Sequence, residues 1–125
     1  MINKNIKNEY FINVIVLENC PYSIKAEQIL NHYKIKHDII RVNHNNKYKY
    51  KNDSINTFPQ IYLKKRNHNG NLLIGGYNHL KSLIETFKNN KYTDSTINEY
   101  INNNEYITQN NITIKLLLKL INLIN

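Results

Sequence analysis

The run from Phe11 to Leu17 (FINVIVL) is almost continuously apolar, β-branched and of strand length, the pattern of a central strand buried on both faces. After Glu18-Asn19-Cys20-Pro21 the period changes. Ala26, Ile29, Leu30 and Tyr33 recur at helical spacing, and Pro21 suits a first helical position because its missing N–H needs no intrahelical partner. Cys20 then falls at the N-cap or beside it. Ile35 to Val42 (IKHDIIRV) alternates loosely and predicts a second strand, parallel to the first through a right-handed helical crossover.

The stretch from Asn43 to Asn56 is polar, with Lys47, Lys49 and Lys51 interleaved with Tyr48 and Tyr50, and fits a short helix or a loop. Gln60 to Lys64 and Asn71 to Ile74 predict a β-hairpin turning at Asn67-His68-Asn69-Gly70, with Gly70 available for positive φ. Gly75-Gly76 is expected to break the ladder. Leu80, Leu83, Ile84 and Phe87 restore a helical stripe, with Asn78 as the expected N-cap. Beyond about Asn89, Asp94-Ser95-Thr96 reads as a cap before a weak helix. Ile112 to Ile124 then forms a Leu- and Ile-rich segment with Thr113 as its cap. That segment is apolar nearly all round yet too short to span a bilayer, so it either packs on the body or joins two copies in a homodimer. Asn102-Asn103-Asn104 and Asn110-Asn111 read as interhelical loops, and no internal repeat is visible. The expected organisation is one α/β domain over residues 1–90, carrying a helical extension over 91–125 packed on it.

Composition refines this picture. A chain of 125 residues is the size of a single domain, and 41% hydrophobic residues exclude a wholly disordered chain. Seventeen Lys plus Arg against nine Asp plus Glu give a formal charge of +8. However, about one residue in five is Asn, and Ile, Lys and Tyr are also over-used. All four have A/T-rich codons, so genomic base bias accounts for the basicity without an acidic partner. No long basic run or aromatic interleaving at strand spacing points to nucleic acid, and no apolar run reaches membrane-helix length. The first ten residues carry no signal-peptide core, so a cytoplasmic location is expected, in the host cytoplasm or a virion if a virus encodes the chain. The single cysteine excludes an internal disulfide and any multi-thiolate zinc site.

A thiol at a helix N-terminus meets unpaired N–H groups and the positive end of the helix dipole, both of which favour thiolate. Here the expected donors to the sulfur are the N–H groups of Tyr22 and Ser23, since Pro21 has none. Cys20-Pro21-Tyr22-Ser23 resembles the active-site motif of glutaredoxins in its monothiol form, with Ser in place of a second Cys. Thr57-Phe58-Pro59-Gln60-Ile61-Tyr62-Leu63 is similar to the family's Thr-Val-Pro segment entering a strand, and Gly75-Gly76-Tyr77 follows at a helix start. The resemblance runs from about Asn13 to Lys88. It implies a thioredoxin-like fold with a central mixed four-stranded sheet flanked by helices, to which the C-terminal helices are an addition.

The resemblance further implies a cis Phe58-Pro59 bond that brings the Phe58 backbone beside Cys20, where it pairs with the cysteinyl part of glutathione by strand addition. Thr57 would adjoin that segment and Tyr22 would wall the groove. Gly76, with the N–H groups of Tyr77 and Asn78, would receive the γ-glutamyl carboxylate. Two departures stand out. The Lys or Arg usual three residues before the cysteine is Leu17, leaving Lys47 or Lys49 as replacement, and the acidic or hydroxyl partner of the γ-glutamyl amine is matched by Asn78 and His79, neither negatively charged. The implied activity is reduction of glutathione mixed disulfides on proteins or small molecules, with Cys20 as nucleophile and glutathione as co-substrate. The alternatives are a carrier in which Cys20 and glutathione hold a [2Fe-2S] cluster between two chains, and a noncatalytic binding module.

Overall fold

The computed structural model describes residues 9–68, 71–89 and 91–125. Its elements are β1 (Tyr10–Leu17), α1 (Pro21–His32), β2 (Asp38–Val42), a 3-10 turn (Lys47–Tyr50), β3 (Gln60–Lys65), β4 (Asn71–Gly75), α2 (Tyr77–Phe87), α3 (Asp94–Asn102) and α4 (Asn111–Ile124). The strands form one mixed sheet in the order β2-β1-β3-β4. β1 runs parallel to β2 and antiparallel to β3, and β3 runs antiparallel to β4. This is the thioredoxin-like arrangement of a mixed four-stranded sheet with flanking helices. The polar stretch after β2 resolves as a single 3-10 turn. Asn69 and Gly70 of the expected hairpin turn lie outside the described residues, while Asn67 takes the left-handed conformation (φ 60°) that Asn tolerates.

Period-two alternation sorts β1 into two faces. Ile12, Val14 and Val16 point into the main core with Ile61 and Leu63 of β3. Against that face pack Ala26 and Leu30 of α1, the Leu80, Leu83, Ile84 and Phe87 stripe of α2, Ile97, Tyr100 and Ile101 of α3, and Leu117, Leu120, Ile121 and Ile124 of α4. Each fully buried Leu or Ile contributes roughly 1.5–3 kcal/mol. The apolar face of α4 is thus spent within its own chain, against β1 among others, and not on the seam of a homodimer. Ile112 and Leu118 stay exposed.

The opposite sheet face, with Ile15, Ile40, Tyr62 and Leu73, is approached by the segment between β2 and β3. A cavity of about 390 Å³ lies between them, bordered also by Lys49, Tyr50 and Gln60. Gln60 is buried and fastens this segment: its Nε2 donates to the Tyr50 carbonyl at 2.8 Å, and its Oε1 accepts from the Tyr62 hydroxyl at 3.3 Å.

Three expected caps fall elsewhere. Gly76, not Asn78, is the N-cap of α2; Thr93 precedes Asp94 as the cap of α3; and Asn110, accepting from Thr113 N at 2.9 Å, caps α4. Gly75 does not break the ladder but ends it, paired with Ile61 across a register shift. Asn104, in the expected interhelical loop, is buried, and its Nδ2 donates to the Ile74 carbonyl at 2.9 Å. That carbonyl lies next to Gly75, where the β3–β4 register shifts, and the side-chain amide satisfies it.

Candidate functional site

Cys20 is delivered by the tight exit from β1. Glu18 N donates to the Val42 carbonyl at 2.9 Å, Asn19 adopts φ 58°, and Cys20 N returns to the Leu17 carbonyl at 3.3 Å. Cys20 is the extended N-cap of α1, Pro21 occupies the first turn, and Ile24 N makes the first helical bond to the Cys20 carbonyl at 3.0 Å. The thiol is half-buried and free. Its side chain makes no capping bond to the Tyr22 or Ser23 N–H groups; instead Sγ points at the Phe58 carbonyl oxygen, 3.9 Å away. A carbonyl oxygen only accepts, so in this contact the thiol is the donor, and a weak one. The Ser23 hydroxyl is engaged elsewhere. Its buried Oγ accepts from Leu17 N at 3.0 Å, tying the end of β1 to the first turn of α1.

The Phe58-Pro59 bond is cis. Thr57 is exposed, Phe58 half-buried and Pro59 buried, so the chain enters β3 with its Phe58 carbonyl turned to the thiol. Gly76 adjoins the same loop: a Cβ built on it would lie 3.5 Å from the Pro59 carbonyl oxygen, an ordinary contact. The rings of Tyr22 and Tyr77 stand 6.2 Å apart at 37°. Three segments distant in sequence therefore meet pairwise: Cys20 with Phe58, Pro59 with Gly76, and Tyr22 with Tyr77.

Gly75 is the glycine the geometry requires. Its φ is +128°, and a Cβ there would sit 2.5 Å from the His79 ring and 2.9 Å from the Tyr106 ring. At the start of α2 the N–H groups of Tyr77 and Asn78 lack intrahelical acceptors, as in any first turn, and acidic residues are absent from that turn. Asn78 and His79 also border a polar cleft of about 450 Å³ shared with Glu99, Tyr100 and Asn104 of the extension. His79 receives the Gly76 N–H on Nδ1 at 3.1 Å, and its Nε2 lies 2.7 Å from Glu105 Oε1. The imidazole hydrogen bond, followed by a backbone hydrogen bond, holds the Glu105 carboxyl below the usual carboxylate range. Sequence reading missed Glu105 because nothing local marks a carboxylate 26 residues from its imidazole.

Two groups of lysines bear on the positive charge near the site. Lys47 and Lys49 lie in the 3-10 turn, where Lys47 Nζ sits 5.7 Å from the Tyr48 ring centre. Lys25 instead stands between the two groove tyrosines, its Nζ 5.4 Å from the Tyr22 ring and 5.9 Å from the Tyr77 ring. Its signal was present in the sequence as the i, i+3 spacing from Tyr22. Among the described residues no group of three or more His, Cys, Asp or Glu is placed to hold a metal ion. A cluster on Cys20 would take its other ligands from outside the chain.

A glutaredoxin family model matches residues 10–68, a span that includes both Cys20 and the Phe58-Pro59 loop. No curated protein sequence matches the chain. Among solved structures, the chain is similar to glutaredoxin 1 from Francisella tularensis complexed with cacodylate, at 23% identity and a TM-score of 0.52. The fold is that of a glutaredoxin. The superposition covers 99% of the Francisella chain but 65% of this one, so about a third of this chain lies outside the shared glutaredoxin fold. The structural similarity shows the fold, and the family match covers just under half of the chain.

Proposed function

We propose that this protein is a glutathione-dependent oxidoreductase that reduces glutathione mixed disulfides, on proteins or small molecules, with Cys20 as its one nucleophile. The observation that carries this reading is the half-buried, free Cys20 at the open end of α1, its Sγ 3.9 Å from the Phe58 carbonyl oxygen. The Cys20 thiolate attacks the glutathione sulfur of the mixed disulfide. The substrate sulfur leaves as a thiolate and takes a proton from water, and Cys20 is left joined to glutathione. The thiolate of a second glutathione attacks that glutathione sulfur, releasing glutathione disulfide and restoring Cys20. Ser23 offers no second sulfur for an internal step, and its hydroxyl is occupied with Leu17 N.

Recognition follows from the groups around the sulfur. The Phe58 backbone pairs with the cysteinyl part of the tripeptide, Thr57 flanks it, and the Tyr22 ring walls the groove. The γ-glutamyl carboxylate is received by the Tyr77 and Asn78 N–H groups at the start of α2, with Gly76 beside them. Lys25, rather than Lys47, supplies the nearby positive charge. The decisive experiment is a glutathione mixed-disulfide reduction assay on wild type and Cys20→Ser: turnover in the wild type and none in the variant is expected, and turnover that persists without the thiol would refute the reading.

A further inference from the structure

We infer that Glu105 is a positioning residue for glutathione binding: through His79 it fixes the Gly75-Gly76 loop and the N-terminus of α2, so that the extension completes the ligand site. The inference rests on the functional reading above and adds to it a residue from outside the 10–68 span that the family model covers.

Three consecutive residues of the extension grip the loop. Asn104 Nδ2 holds the Ile74 carbonyl at 2.9 Å, Glu105 binds His79 at 2.7 Å, and the Tyr106 ring meets the His79 ring edge-on with centres 5.0 Å apart. The Asn104 side chain is itself steadied, its Oδ1 accepting from Tyr106 N at 2.8 Å. The imidazole is the middle of this grip. Because Nδ1 accepts the Gly76 N–H at 3.1 Å, the proton of the neutral ring sits on Nε2 and is donated to Glu105. Glu105 thereby selects the tautomer that can cap Gly76.

Capping Gly76 has a direct effect on what remains for a ligand. Gly76 lacks a side chain to fix its own helix start, and Gly75 before it holds a φ open only to glycine. Without the imidazole, both residues would sample other conformations, and the Tyr77 and Asn78 N–H groups would converge less often on one point. The carboxylate of Glu105 is mostly solvent-exposed, its side chain 70% accessible, so its substitution alters this relay without opening the core.

The test uses the full chain and compares wild type, Glu105→Ala and Glu105→Gln. Calorimetry with reduced glutathione gives affinity, iodoacetamide gives the alkylation rate of Cys20, and backbone NMR gives the exchange rate of the Gly76 amide. Glu105→Ala is expected to weaken glutathione affinity about 5- to 10-fold, the loss of one charge-assisted hydrogen bond, with Gly76 exchange faster and alkylation unchanged. Glu105→Gln keeps an acceptor for Nε2–H and is expected to bind within about twofold of wild type. Measurable binding by the wild type with equal affinity in Glu105→Ala would overturn this inference alone. Failure of the wild type to bind glutathione would overturn the functional reading and the inference together.

Discussion

At the scale of single residues, the site turns on two contacts between segments far apart in the chain, Cys20 Sγ with the Phe58 carbonyl and Lys25 with the Tyr77 ring. Cys20, Pro21, Phe58 and Pro59 stand in short motifs, and the cis bond and the contact between Cys20 and Phe58 follow the resemblance. Lys25 belongs to no motif, since only the approach of α2 to α1 brings Tyr77 to its ammonium. Lys25→Ala is expected to raise the KM for glutathione about 3- to 5-fold with kcat held within twofold, the effect of one partly screened charge, as measured by steady-state reduction of a mixed disulfide. Ser23→Ala belongs to a different class. It strips the Leu17 N–H of its acceptor in a buried turn, for an expected loss of about 1–3 kcal/mol in urea denaturation.

Secondary-structure elements were read well in kind and less well at their ends. Strand and helix periods reflect which face is buried, and that is carried by the order of apolar residues. Caps depend on where the chain turns, which is decided by what the helix packs against. Hence α2 begins after Gly76 although Asn78 is the better capping residue: the His79 ring, at the third helical position, reaches back to accept the Gly76 N–H, the half of a capping box that needs no side chain at the N-cap. Gly75→Ala tests this corner: left-handed backbone plus a Cβ against His79 predicts a loss of at least about 2 kcal/mol, read from the urea midpoint. In α4, Leu117→Ala is expected to cost about 2–5 kcal/mol and to leave the protein's mass in solution unchanged, since that face is buried within the chain. Sedimentation velocity checks the second part.

For the molecule as a whole, the extension is part of the same core as the sheet, and Tyr100 reports on that union. It is packed against Phe87 of α2, its hydroxyl donates to the His79 carbonyl at 3.4 Å, and burial pushes its phenol up to about 12. A raised pKa means that the folded state favours the neutral phenol. The stabilisation is complete below about pH 10, the ordinary value of an unfolded tyrosine, and is lost as pH rises toward 12, on the order of 2–3 kcal/mol. The unfolding free energy of the wild type should therefore fall relative to that of Tyr100→Phe between about pH 9.5 and 12, as measured at about half-unit steps.

The grip of Asn104, Glu105 and Tyr106 on the Ile74-Gly75-Gly76 corner also sets an order of events during synthesis. A ribosome emits the nucleophile first, the proline loop second and the glycines third, yet the residues that steady those glycines emerge about 30 positions later still. A nascent chain halted after α2 carries every motif of the groove while its carboxylate cradle is still unbraced. On the proposed function, capture of the tripeptide would therefore mature late in translation, once the C-terminal residues have closed on this corner.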